Sequence, residues 1–208
     1  MQRRALACLS SLLLGTLSCA VLPTTGPPMS LPPEPVAATA EAVAPTDPVR
    51  EAVHQHLLRY QVRSGLSEAE LSQLADTIVI EARRYELDPA LVVAVMHVES
   101  RFHAFAVSPV DALGLMQLLP STAEWLAPSV GVEWRGPQTL FDPTSNVKLG
   151  VAYLRQLIDR YDGNVRTALL AYNWGPGRID GRLRRGVPLP VEYAQLVFDA
   201  YGSDDSSS

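Results

Sequence analysis

The sequence predicts an all-α domain standing behind an export signal and a proline-rich spacer, and three observations carry that expectation. Apolar residues recur at helical spacing in one segment after another, and Asp-Pro or Ser-x-x-Glu start signals precede those segments. No run shows the strict alternation of a half-buried strand. A chain of 208 residues, 47% hydrophobic and 19% charged, can bury one core. Its formal charge of -5 supplies no basic footprint for nucleic acid, which is excluded as a partner.

At the start, Arg3 and Arg4 precede the apolar run Ala5 to Leu17 and the small residues Ser18-Cys19-Ala20, the three parts of a secretory signal over residues 1–20. The apolar run is shorter than the roughly 20 residues that a bilayer span needs. Cleavage after Ala20 and lipidation of Cys19, which would tether the chain to a membrane, both remain open. Both cysteines, Cys8 and Cys19, lie in this segment, so cysteine chemistry is excluded downstream. Residues 21–48, rich in Pro, Ala and Thr with Pro27-Pro28 and Pro32-Pro33 pairs, cannot hold a helical ladder and read as a disordered linker.

Asp47-Pro48 places an N-cap before proline at the first helical position, and the helix it opens is expected to run to about Arg63, where Ser64-Gly65 breaks it. Ser67 and Glu70 form a capping box ahead of Leu71, Leu74, Ala75, Ile78, Val79 and Ala82, an amphipathic helix to about Tyr85. Asp88-Pro89 opens a helix to Ser100 that is apolar on every side over Leu91 to Met96, hence buried all round. After a loop from His103 to Asp111, the apolar run Ala112 to Leu119 reads as a short helix stopped by Pro120, with a second capping box at Ser121 to Glu124. Gly131 to Phe141 reads as loop, and Asp142-Pro143 starts a long helix through Leu149, Ala152, Tyr153, Leu157 and Ile158 that Asp162-Gly163-Asn164 ends. One further helix reaches about Tyr172, Gly175 to Gly177 turns the chain, and Val191 to Tyr201 closes the domain ahead of a disordered tail, 202–208. No internal repeat interrupts this order.

Chemistry concentrates at Glu99, near the C-terminal end of the buried helix. Burial and the negative end of the helix dipole both disfavour its anion, so both raise its pKa. A carboxylic acid kept partly protonated near neutral pH suits glycosidic cleavage, whose leaving oxygen must be protonated as the bond breaks. From this segment alone, a structural carboxylate paired with Arg101 fits as well.

Further along stand Ser108-Pro109, Gly114-Leu115-Met116-Gln117, Leu140-Phe141-Asp142-Pro143 and Ala171-Tyr172-Asn173-Trp174-Gly175. In order and spacing, these blocks resemble the soluble lytic transglycosylases, whose catalytic domain is similar to goose-type lysozyme. The resemblance covers 49–201 and implies a lysozyme-like helical domain with an active-site cleft. It further implies that Glu99 is the catalytic acid/base, that Ser108, Gln117, Leu119, Tyr172 and Asn173 bind sugar, and that Tyr193 joins them. The implied substrate is the glycan strand of bacterial peptidoglycan, cut after N-acetylmuramic acid with closure of a 1,6-anhydro ring, in the periplasm or at the outer membrane. No cofactor and no metal are implied, and the expected state is a monomer.

Departures from the family pattern leave alternatives open. Asp111 stands where glycine is usual, and a carboxylate there could orient water for lysozyme-like hydrolysis. Leu189-Pro190-Val191-Glu192-Tyr193 keeps only the tyrosine of a Glu-Thr-Arg-x-Tyr pattern, Trp174 replaces a small residue, and Leu119 replaces a methionine of similar volume. A non-catalytic glycan-binding scaffold of an envelope machine is the rival from another class. His54 and His56 face different sides of a helix and build no metal site. Arg178, Arg182, Arg184 and Arg185 form a local basic patch, a solvated face or a hold on an anionic polymer.

Overall fold

The computed structural model of the chain describes residues 47–204, which fold into nine α-helices with two isolated β-bridges and no strand among the described residues. The export signal and nearly all of the linker lie outside them. Pro48, at the linker's end, is already helical.

Aspartate caps do what the Asp-Pro signals promise. The side chain of Asp47 accepts from Val49 N–H ahead of α1 (Pro48–Leu58), that of Asp88 from Ala90 N–H ahead of α4 (Pro89–Ser100), and that of Asp142 from Ser145 N–H ahead of α6 (Pro143–Arg160). The expected first helix is broken: α1 ends at Leu58, Arg59 and Tyr60 turn, and α2 (Gln61–Ser64) follows, closed by left-handed Gly65. Helix α3 (Glu68–Arg84) starts at the capping box, with both Ser67 and Glu70 bonds made. Its apolar stripe packs against α1, α4 and α6.

The clearest departure from expectation is 112–119, which is loop and not helix. Leu113 N–H donates to Leu118 O at 2.9 Å and Gly114 N–H to Ala106 O at 2.9 Å, so the segment closes on itself and on the preceding loop. It is apolar because Leu115, Met116 and Leu118 fill the core from a loop. Pro120 starts the next helix instead of stopping the last: α5 (Pro120–Val130) has Leu119 as N-cap, and the expected capping box at Ser121 lies inside it, unformed.

Residues 137–141, expected as loop, wind into a 3-10 turn. Helix α7 (Val165–Trp174) begins at Asn164, whose side chain accepts from Thr167 N–H, and ends two residues beyond expectation. Gly175 does turn the chain, but α8 (Pro176–Arg184) follows at once; with Ile179 as its one buried large apolar residue, it has no apolar stripe to read. The last helix, α9 (Glu192–Asp204), continues into the segment expected to be a disordered tail. Helix α4, buried from Leu91 to Met96, lies against α9, and α6 lies against α3, α5 and α7, so the end of α4 meets the 112–119 loop and the far helices.

Candidate active site

Glu99 is the penultimate residue of α4 and lines a cleft of about 430 Å³. The loop beside it owes its shape to bonds from distant helices. Asn146 of α6 is fully buried; its Oδ1 accepts from Met116 N–H at 2.8 Å, and its Nδ2 donates to Leu113 O at 3.0 Å and Leu140 O at 2.9 Å. Ser100 donates to Leu115 O at 2.8 Å, and Tyr172 of α7 donates to Met116 O at 2.8 Å. Three helices thus satisfy the polar backbone of a buried loop, which would otherwise cost about 1–3 kcal/mol per unpaired group.

Glycine is required at two points of this assembly. Gly114 has φ +77°, and a Cβ on it would sit 2.2 Å from Leu140 O and 2.3 Å from Asn146 Nδ2. A Cβ on Gly150 of α6 would sit 2.3 Å from Met116 Sδ, so the methionine is seated on bare helix backbone. The Gly-Leu-Met-Gln block is therefore a folding device that presents Gln117 to the cleft. Both protons of the Gln117 amide are held, by Gly114 O at 2.9 Å and Ala106 O at 3.2 Å, which leaves its carbonyl oxygen to accept from a ligand.

At Glu99 two influences oppose each other. Burial pushes the carboxyl up from 4.5, and the Tyr193 hydroxyl, donating to Oε1 at 2.5 Å, pulls it back, leaving a pKa of about 7. Burial, and then the neighbouring Glu99 charge, hold the phenols of Tyr172 and Tyr193 well above their ordinary range, so both stay protonated and donate. The arrangement can deliver a proton near neutral pH and take one back.

Of the residues singled out in the sequence, Glu99, Ser108, Gln117, Leu119, Tyr172 and Asn173 all line the cleft. Tyr193 reaches it through Glu99. Ser108 also shapes its own loop, its hydroxyl accepting from Ala112 N–H at 3.0 Å and Val110 N–H at 3.3 Å. Leu119 is 43% exposed and offers an apolar wall. Val110 and Ala112 line the cleft on either side of Asp111, which is exposed and does not line it. Arg101 is exposed, and the hydrogen bond on the Glu99 carboxyl comes from Tyr193. Trp174, left open by the sequence, is a wall of the cleft.

Sequence reasoning missed Thr122, Tyr153 and Arg178 as lining residues and Asn146 as the loop's fastener. Tyr153 sits on the apolar stripe of α6 and reads as core; its ring lies 5.4 Å from that of Tyr172. A lone Asn four residues after the Asp142 cap was the available signal for Asn146.

Residues 76–186 match the family described as Transglycosylase SLT domain. A transglycosylase of Enterobacteria phage PRD1 is 41% identical over 117 residues, 50% of this chain and 40% of that protein. A membrane-bound lytic murein transglycosylase C of Cronobacter sakazakii is 37% identical over 107 residues, 47% of this chain and 30% of that protein. The X-ray structure of an inactive Glu-to-Gln mutant of lytic transglycosylase Slt from Pseudomonas aeruginosa aligns with a TM-score of 0.58 at 28% identity, over 76% of this chain and 30% of that one. The chain thus spans less than half the length of these relatives.

Proposed function

Since the chain belongs to the transglycosylase SLT domain family, we propose that it is a peptidoglycan lytic transglycosylase whose catalytic domain spans 49–201, with Glu99 as its one acid/base. The observation that carries this reading is a half-buried carboxyl, pKa about 7, in a cleft with no second carboxylate among the described residues that line it. Two-carboxylate hydrolysis needs a partner about 5–9.5 Å away to act as nucleophile or to activate water. Asp111, the candidate for that part, is exposed and is not among the residues that line the cleft. In this reading one group serves twice.

Near pH 7 about half the molecules carry a protonated Glu99. That proton goes to the glycosidic oxygen between N-acetylmuramic acid and N-acetylglucosamine as the C1–O bond breaks. The sugar's own acetamido oxygen bonds to C1 and spreads the positive charge. Glu99, now an anion beside the Tyr193 hydroxyl, takes the proton of the C6 hydroxyl while that oxygen displaces the acetamido oxygen at C1. The result is a 1,6-anhydro ring and a restored acid, with no water consumed. Gln117 and Asn173 supply polar contacts to the strand, and Leu119, Tyr172 and Trp174 supply apolar faces.

Two relatives bear on the assignment: the inactive form of Slt is a Glu-to-Gln mutant, and the Cronobacter protein is named as membrane-bound. The proposed place of action is the bacterial envelope, periplasmic or held at the outer membrane through Cys19. Glu99→Gln tests the role of the acid. The variant is expected to bind purified sacculi and release no soluble muropeptides, and release at the wild-type rate would overturn the assignment.

A further inference from the structure

Trp174 and Arg178 belong to two hollows at once: they line the cleft, and they also line a groove of about 360 Å³ whose other walls include Arg182, Arg184 and Arg185. Positions 178, 182 and 185 follow at four and three residues and share one face at the α8 end. Gly181 is the floor. It is buried, like Ile179 on the same helix, and a Cβ there would lie 3.3 Å from Arg185 Nη1 and 3.9 Å from Arg184 Nη2, so two guanidiniums converge over one spot.

Little inside the protein neutralises them. Asp180, on the same helix, is engaged by Arg160 and by the Tyr161 hydroxyl, and Arg184 acts on it only through space. Arg182 donates to Pro188 O at 2.6 Å and lies over the Trp174 ring at 5.7 Å, which braces the wall between the two hollows. Among the described residues, Arg178, Arg184 and Arg185 make no ion pair. Converging guanidiniums repel one another, and each gains most from a carboxylate that it can grip with two N–H groups.

We propose that this groove binds the carboxylates of the peptide that peptidoglycan carries on its muramic acid residues. The inference rests on the glycan reading of the cleft. Continuity through Trp174 and Arg178 favours this occupant, because a substituent on a sugar lying against Trp174 is delivered straight to the arginines. An anionic membrane surface is the competitor, since Leu183 and Val187 are exposed beside them at 49% and 38%.

The test compares kcat/KM on glycan strands with intact peptides and on strands stripped of peptide by an amidase, for the full chain and its Arg184→Ala/Arg185→Ala variant. The wild type should favour peptide-bearing strands by about tenfold, the worth of one charge-assisted hydrogen bond. In the double variant that preference should fall towards one through KM, and Arg184→Lys/Arg185→Lys should keep part of it. Rising salt should erode the wild-type preference, a readout that holds even if the alanine variant folds poorly. No preference in the wild type, or an undiminished one in the folded variant, overturns the proposal. So does a variant that loses only its binding to vesicles of anionic phospholipid. If the wild type cleaves neither strand, it is the cleavage reading that has failed. The groove is then judged by the affinity of Glu99→Gln for the two strands, where equal affinity overturns it.

Discussion

Replacing Tyr193 by phenylalanine removes one oxygen, and with it the hydroxyl that donates to Glu99 Oε1 at 2.5 Å. Burial is the larger influence on that carboxyl and raises its pKa; the Tyr193 bond favours the anion and lowers it, to about 7. A hydrogen bond to a charged group contributes about 1.5–3 kcal/mol, and about 1.4 kcal/mol is a factor of ten in a protonation equilibrium. Losing the bond should therefore carry Glu99 upward by about one to two pH units. The profile of kcat/KM against pH reports the acid of the free enzyme, so its alkaline limb should move from near pH 7 to higher pH by that amount. A carbon-13 NMR titration of the glutamate carboxyl should follow it. Phenylalanine fills the same space beside α4, so the fold should survive. A limb that stays put, or moves to lower pH, would refute the account of Tyr193 as the donor that steadies the anion.

Three further outcomes are expected. Asn146→Leu leaves Met116 N–H, Leu113 O and Leu140 O without their buried partner, and urea unfolding should show a loss of roughly 3–5 kcal/mol. Gly114→Ala forces a Cβ to 2.2 Å from Leu140 O at a left-handed φ; it should cost about 2 kcal/mol or more in the same assay and lower cleavage by displacing Gln117. Glu99→Gln should be stabilising in a pH-dependent way. The folded pKa of about 7 stands above the ordinary 4.5, so the folded wild type binds more protons between these values and loses stability as pH rises through that window. Glutamine does not titrate. Thermal melts at about pH 4 should show little difference, and by about pH 8 the variant should lead by on the order of 3 kcal/mol.

Legibility in the sequence followed the range of the interactions involved. Asp47, Asp88, Asp142 and the Ser67–Glu70 box act within three residues of themselves, and the helices they open begin where the sequence places them. The 112–119 segment misled because its apolar content reflects burial, whereas its backbone is fixed by Ser100, Asn146 and Tyr172, 15 to 56 positions away. Local pattern cannot register such partners. Helix α8 was missed for the opposite reason: it is a surface helix held by Ile179 and by arginines folded over a glycine. The cleft was legible in part, since Glu99, Gln117 and Tyr172 stand in blocks with family precedent, whereas the hydroxyl of Tyr193 reaches Glu99 across 94 positions.

The most direct measurement digests purified sacculi in water enriched in oxygen-18 and weighs the products by mass spectrometry. One carboxyl acting first as acid and then as base predicts 1,6-anhydro-muropeptides free of the label, formed by the wild type and not by Glu99→Gln. Reducing ends that carry one labelled oxygen, or the same anhydro products from Glu99→Gln, would contradict it.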